Sequence, residues 1–219
     1  MRYTGRIVAI GITLFFHMSL VLYYFFRDGI IETIDLLASP VMILVAYWAG
    51  NKFDKVKYLS EKDVLTGLYN RRFVMNSFDK ITSLADRTSS KLFVLVIDCD
   101  NFKDINDLYG HNTGDKVLTL IGETLVGTTR KSDIVSRWGG DEFVVIGHFK
   151  EETGLQTLLQ RLDDGLKTLS EQMNIPVKVS IGSAIYPIDS KDLFELIQSA
   201  DENMYECKGT KKSLGKHEV

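Results

Sequence analysis

Four acids stand in two short groups where buried strands would end. Asp98 and Asp100 close the apolar run KLFVLVIDCD (91–100), and Asp141 and Glu142 follow the glycine pair of RWGGDEF (137–143). A short apolar run reads as a strand buried on both faces. The β-favouring flanks of Gly139-Gly140 read as a tight hairpin. If strand and hairpin are sheet neighbours, two sources of carboxylate meet at one edge. Hard cations such as Mg²⁺ take oxygen ligands, few of them from the protein and the rest from water and phosphate. Metal held there can activate an attacking hydroxyl and steady a leaving pyrophosphate. Any one of these acids serves equally well as the cap of a following turn. The Gly-Gly pair leaves room for a phosphate beside the backbone, though most such pairs only make turns.

Between the two acid groups, NFKDINDLYGHNTGDKVL (101–118) crowds Lys103, Asn106, Asp107, His111 and Asp115 into one polar stretch. An amide and a carboxylate together can read a guanine edge, the amide on the carbonyl side and the acid on the N1–H and amino side. A lysine meets phosphate as a point charge. A solvated helix–loop–helix with ordinary caps accounts for the same residues, and His111 alone is more often a structural hydrogen-bonder than a ligand.

Rigid elements must position these groups. Helical periodicity covers 71–86, 115–128, 152–171 and 191–208; in the third, Leu155, Leu158, Leu159, Leu162 and Leu166 share one side. VKVSIGSAIYP (177–187) reads as a strand stopped by Pro187. Strands, helices and one hairpin in this order predict an α/β or α+β sandwich, with helices covering a mixed sheet.

The remaining composition sets limits. The chain has 219 residues, a net charge of −3 and a sequence pI of about 5.8, which argues against a non-specific nucleic-acid binder. Cys99 and Cys207 lie far apart, so neither a disulfide framework nor a zinc site is indicated. Residues 7–26 carry no acid, Lys or Arg, close to the roughly 20 residues a helix needs to cross a bilayer. A weaker apolar stretch, 30–50, holds Glu32 and Asp35 in its first turns. No small-residue cleavage site follows the first stretch, which argues against a signal peptide. The two read as a transmembrane hairpin turned at Arg27-Asp28-Gly29. Arg2 and Arg6 before it, and Lys52, Lys55 and Lys57 after it, place both ends in the cytoplasm. His17, within the first apolar stretch, packs or bonds to a neighbour. Phe53, Val56 and Leu59 recur every three residues, so a short helical connector continues from the second stretch.

Taken together, DVLTGLYNRR (63–72), DCDNFKDINDLYGHNTGDKVL (98–118), RWGGDEF (137–143), SIGSAIYP (180–187) and ADENMYECK (200–208) closely resemble the GGDEF family of diguanylate cyclases. The resemblance spans about 60–212. It implies a nucleotide-cyclase or polymerase-palm-like fold; with the apolar stretches and the connector read above, the chain divides into anchor (1–50), connector (51–62) and GGDEF domain (63–219). It implies condensation of two GTP into cyclic di-GMP by a homodimer at the cytoplasmic membrane face, with Mg²⁺ or Mn²⁺ and with no nucleic-acid partner. Residue by residue, Asp98, the backbone carbonyl of Cys99, Asp141 and Glu142 would serve the metal, with Asp141 and Glu142 catalytic. Asn106 and Asp115 would read guanine. Gly139 and Gly140 would admit the phosphates, and Lys103 and Lys208 would contact them. The position of a family arginine looks to be taken by Lys212, which keeps the charge and loses the bidentate fork. Asp115 favours two guanines over a mixed product. Arg130 and Asp133 match the family's RxxD inhibitory product site, with Arg161 as a second arginine. A catalytically silent cyclic di-GMP or GTP receptor, or a scaffold, is the alternative, and intact acids weigh against both.

Overall fold

A computed structural model describes residues 4–29, 33–149 and 151–214, and the side chains of residues 34–36 and 206–214 lie outside that description. The chain divides into two compact units, Met1–Ser60 and Glu61–Val219.

The first unit is a pair of helices, α1 (Thr4–Asp28) and α2 (Thr33–Glu61). Among the described residues, α1 is the one helix long and apolar enough to cross a membrane, and it has no buried residue. The expected second span is not supported. The charge-free part of α2 runs only from Leu36 to Gly50, about 22 Å of helix, against a hydrocarbon thickness of about 30 Å. From Asn51 the same helix continues without a break through the polar connector.

The second unit is a five-stranded sheet in the order β1-β3-β4-β2-β5, formed by β1 (Tyr69–Asn70), β2 (Lys91–Cys99), β3 (Ile134–Gly139), β4 (Glu142–Phe149) and β5 (Val179–Tyr186). β1 pairs parallel with β3, and every other pairing is antiparallel. β2 is an interior strand, between β4 and β5, and both its faces are covered, which explains its unbroken apolar sequence. On one face Phe93, Leu95 and Ile97 pack with Val117, Ile121 and Leu125 of α5 (His111–Thr128) and Leu162 and Leu166 of α6 (Glu152–Met173). On the other, Leu92, Val94 and Val96 meet Val74 and Phe78 of α3 (Arg71–Arg87) and Leu196 and Ala200 of α7 (Leu193–Leu214). α3 starts where Asn70 accepts a hydrogen bond from the Phe73 N–H at 3.0 Å, an ordinary side-chain N-cap.

The sequence places a helix start at Asp115, but α5 begins at His111, and α4 (Phe102–Tyr109) precedes it. Gly110, at φ +82°, turns the chain between them in a conformation glycine adopts without strain.

Candidate active site

The two acid groups meet through sheet register. Asp98, at the end of β2, pairs with Glu142 at the start of β4 on one side and with Ser180 of β5 on the other. Cross-strand partners present their side chains to the same face, so Asp98 and Glu142 share the face covered by α3 and α7. Cys99, one residue on, turns into the opposite core and is buried. Its backbone N–H donates to the Asp141 carbonyl at 3.2 Å, which ties the hairpin tip to the end of β2.

The tip itself is a bulged turn. The β3–β4 register shifts between Arg137 and Gly139, and Gly140 sits at φ +48°. Side-chain space at Gly139 and Gly140 is open, with no atom within 4 Å of where a Cβ would stand. Just beyond, Phe143 is fully buried and roots the hairpin in the core. The Arg137 side chain braces the turn: Nε donates to the Gly140 carbonyl at 2.9 Å, and Nη1 to Asp63 Oδ1 at 3.2 Å. Asp63 also accepts from the Thr66 N–H and hydroxyl at 2.9 and 2.8 Å. Burial pushes the Asp63 carboxyl upward, but the Thr66 and Arg137 donors outweigh it and hold the group below its usual range.

Negative charge accumulates around this edge. Burial, then Asp201, Asp98 and Asp141, raise the proton affinity of Glu142, and Arg71 opposes them. Burial, followed by Asp141, Asp100 and Asp98, pushes the Cys99 thiol up to about 12. Among the described residues no group of three His, Cys, Asp or Glu side chains encloses a metal by itself. The donors fit Mg²⁺ nevertheless: they are hard oxygens carrying surplus negative charge, and Mg²⁺ uses one or two carboxylates together with water and substrate phosphate. Asp100 is engaged differently. Its Oδ1 accepts from Ser180 Oγ at 2.7 Å and its N–H donates to the Lys178 carbonyl at 2.9 Å, so it fastens the loop after β2 to β5.

The polar stretch after β2 becomes two helices packed closely. The Asn106 side chain lies on Gly114: a Cβ there would stand 2.0 Å from Asn106 Oδ1. Asp115 follows Gly114 directly on α5 and is exposed. Lys103 is exposed one turn before Asn106, and His111 is exposed at the start of α5. Lys208 and Lys212 fall on α7, with side chains outside the described residues.

Arg130, Asp133 and Arg161 line one cavity of about 350 Å³, together with Phe93, Phe149 and Leu158. Asp133 Oδ2 accepts from the Arg130 N–H at 2.9 Å, folding the RxxD segment on itself.

Sequence reasoning missed three contributors. The Asp63–Arg137 link joins residues 74 apart, and no local pattern announces it. Asp201 reaches the acid edge from α7, and Ser180 serves Asp100 from β5; both stand in the quoted motifs without a role.

The family model described as "Diguanylate cyclase, GGDEF domain" matches residues 60–213. Diguanylate cyclase DosC of Escherichia coli K12 is 39% identical over 150 residues, covering 67% of this chain and 32% of DosC. Probable diguanylate cyclase DgcC of the same organism is 32% identical over 189 residues, covering 78% of this chain and 50% of DgcC. The chain thus spans a third to a half of the length of these relatives. Among solved structures, the GGDEF domain of TpbB (YfiN) from Pseudomonas aeruginosa superposes with a TM-score of 0.63 at 33% identity, covering 68% of this chain and 89% of that one. The coiled coil and GGDEF domain of DgcB from Caulobacter crescentus, in complex with c-di-GMP, shares the fold at a TM-score of 0.68 and 22% identity, covering 82% and 96%. With the acid edge, the Asn106–Gly114 contact and the RxxD cavity all falling inside the matched residues, the chain belongs to the GGDEF, diguanylate cyclase, family.

Proposed function

We propose that the chain is a diguanylate cyclase that condenses two GTP into cyclic di-GMP and releases two pyrophosphates. The observation that carries this reading is the Asp98–Glu142 register pair, with Asp141 held beside it through the Cys99 N–H. Asp98, Asp141 and Glu142, with the Cys99 carbonyl, would hold Mg²⁺ or Mn²⁺. When bound, the metal supplies positive charge for the phosphates and the leaving pyrophosphate. The chain's own residues do the positioning. Asn106 and Asp115 orient guanine, Lys103 and, from α7, Lys208 and Lys212 meet phosphate, and the open tip at Gly139 and Gly140 lets phosphate approach the backbone. Each ribose 3′-hydroxyl attacks the α-phosphate of the GTP on a second copy, so catalysis is positioning and charge stabilisation between two domains. The anchor (1–50), connector (51–62) and catalytic domain (63–219) act as one homodimeric assembly. α1 attaches it to the membrane, and α2, packed back along α1, returns the chain to the side where α1 begins, so the catalytic domain lies on the cytoplasmic side where GTP is found. Product returns to Arg130, Asp133 and Arg161 and restrains the enzyme.

The cavity at Arg130 and Arg161 also favours a second reading, a silent receptor for cyclic di-GMP. Turnover decides. Full-length protein in detergent is incubated with GTP and Mg²⁺, and products are identified by mass spectrometry, with Asp141→Ala alongside. Cyclic di-GMP from the wild type and none from the variant supports the cyclase. Binding of cyclic di-GMP without turnover, in the wild type, selects the receptor.

A further inference from the structure

We propose that α1 does more than attach the chain: through Asp54 it holds the helix that leads to the catalytic domain, and keeps residues 51–60 helical. Residues 51–60 are a polar continuation of α2, and Phe53, Val56, Tyr58 and Leu59 are all exposed along it. An isolated polar helix of that length is marginal in water. Its order must come from what it is fastened to.

The first turn of α1 provides that fastening. Asp54 Oδ1 accepts from the Gly5 N–H at 2.7 Å and Oδ2 from the Arg6 N–H at 3.3 Å, so an acid on α2 caps the N-terminus of α1. Amides of a first turn lack intrahelical partners, and a carboxylate also meets the positive end of the helix dipole. Arg6 Nε closes the contact at 3.3 Å from Asp54 Oδ2, and the Asp54 side chain is only 9% exposed. Two glycines allow the approach. A Cβ on Gly50 would stand 2.6 Å from the Arg6 Cα, and one on Gly5 would stand 2.8 Å from the Phe53 ring. The contact therefore sits at residues 50–54, where α2 passes from apolar to polar. A second polar bond, His17 Nε2 to Ser39 Oγ at 2.6 Å, joins the helices farther along, and the order of the two contacts shows that the helices run antiparallel.

The inference deepens the proposed function by naming how the connector is controlled, and its structural arm does not need activity. Amide exchange is measured on the full chain in lipid nanodiscs, resolved for residues 5–6 and 51–60. Asp54→Ala should accelerate exchange in both segments about fivefold or more, the effect of losing a helix cap. Gly50→Ala, which meets backbone rather than a movable side chain, should accelerate 51–60 with Asp54 still present. His17→Ala should leave 51–60 unchanged. Acceleration at 5–6 alone, or at neither segment, overturns the inference. Should Asp54→Ala not fold, Asp54→Asn and Gly50→Ala carry the same test. In parallel, the cyclase rate should fall in the Asp54 and Gly50 variants. A wild-type chain that makes no product defeats the proposed activity, while the exchange arm still decides the role of the contact.

Discussion

Gly114→Ala is a small change with a consequence that can be worked out from the packing of α4 on α5. The new methyl would stand 2.0 Å from Asn106 Oδ1, 3.0 Å from its Cγ and 3.2 Å from the Phe102 ring. Helix backbone cannot recede, so the Asn106 side chain must swing away. Alanine adds about 1 kcal/mol of helix propensity over glycine, and the domain should stay folded. The loss falls on recognition. If Asn106 meets the guanine carbonyl, its displacement leaves that partner unmet at a cost of about 1–3 kcal/mol, and each 1.4 kcal/mol is about tenfold. KM for GTP should therefore rise about tenfold or more, with kcat little changed. Steady-state kinetics of pyrophosphate release measure this. Asn106→Ala should give a similar KM, and the double variant should show no further rise, because both changes remove one contact. Additive losses, or an unchanged KM in Gly114→Ala, would refute the assignment of Asn106 to guanine.

Asp63→Ala removes the outer brace of the hairpin and leaves Arg137 without that partner. A loss of about 1–3 kcal/mol is expected, or about 2–4 °C of melting temperature per kcal/mol for a domain of this size, with a lower cyclase rate; calorimetry and product assay read both. Because the Asp63 pKa is lowered by folding, its stabilisation is present above the ordinary value of 3.8 and is lost as pH falls below it. The wild type should lose melting temperature over that acid range faster than Asp63→Asn does. Arg130→Ala should leave initial rates intact and abolish slowing as product accumulates, seen in full progress curves; slowing that persists assigns inhibition elsewhere. Cys99 should resist iodoacetamide at pH 8 in the native protein and react in denaturant, because burial and the surrounding acids keep its thiol protonated; site-resolved mass spectrometry distinguishes the two states.

Strand β2 was legible because being covered on both faces leaves an unbroken apolar run, and KLFVLVID is one. The hairpin was legible because two β-favouring runs bracket glycines. Their adjacency was a condition of the metal reading, and the Asp98–Glu142 register meets it. The start of α5 was not legible: HNTG carries no apolar periodicity, and the helix is fixed by Gly114 packing on Asn106. β1 is two residues long, too short for any alternation to appear. The second membrane span expected in α2 is not supported, because its charge-free part, 36–50, is shorter than the roughly 20 residues a crossing needs. Contacts such as Asp63–Arg137 join distant residues and arise only from the folded sheet.

The brace on the hairpin also fixes where the domain can be cut. Lys62 forms a bridge with Tyr69, its carbonyl accepts from Asn70 Nδ2 at 3.3 Å, and its ammonium lies 3.5 Å from the Tyr69 ring centre. A fragment that began after Asp63 would keep all four acids and every long strand, yet lose the strap that holds β1 and the tip of the hairpin. Such a fragment would retain the whole signature motif and still be a poor stand-in for the enzyme, so a soluble form suited to crystallography or inhibitor screening has to start at or before Glu61.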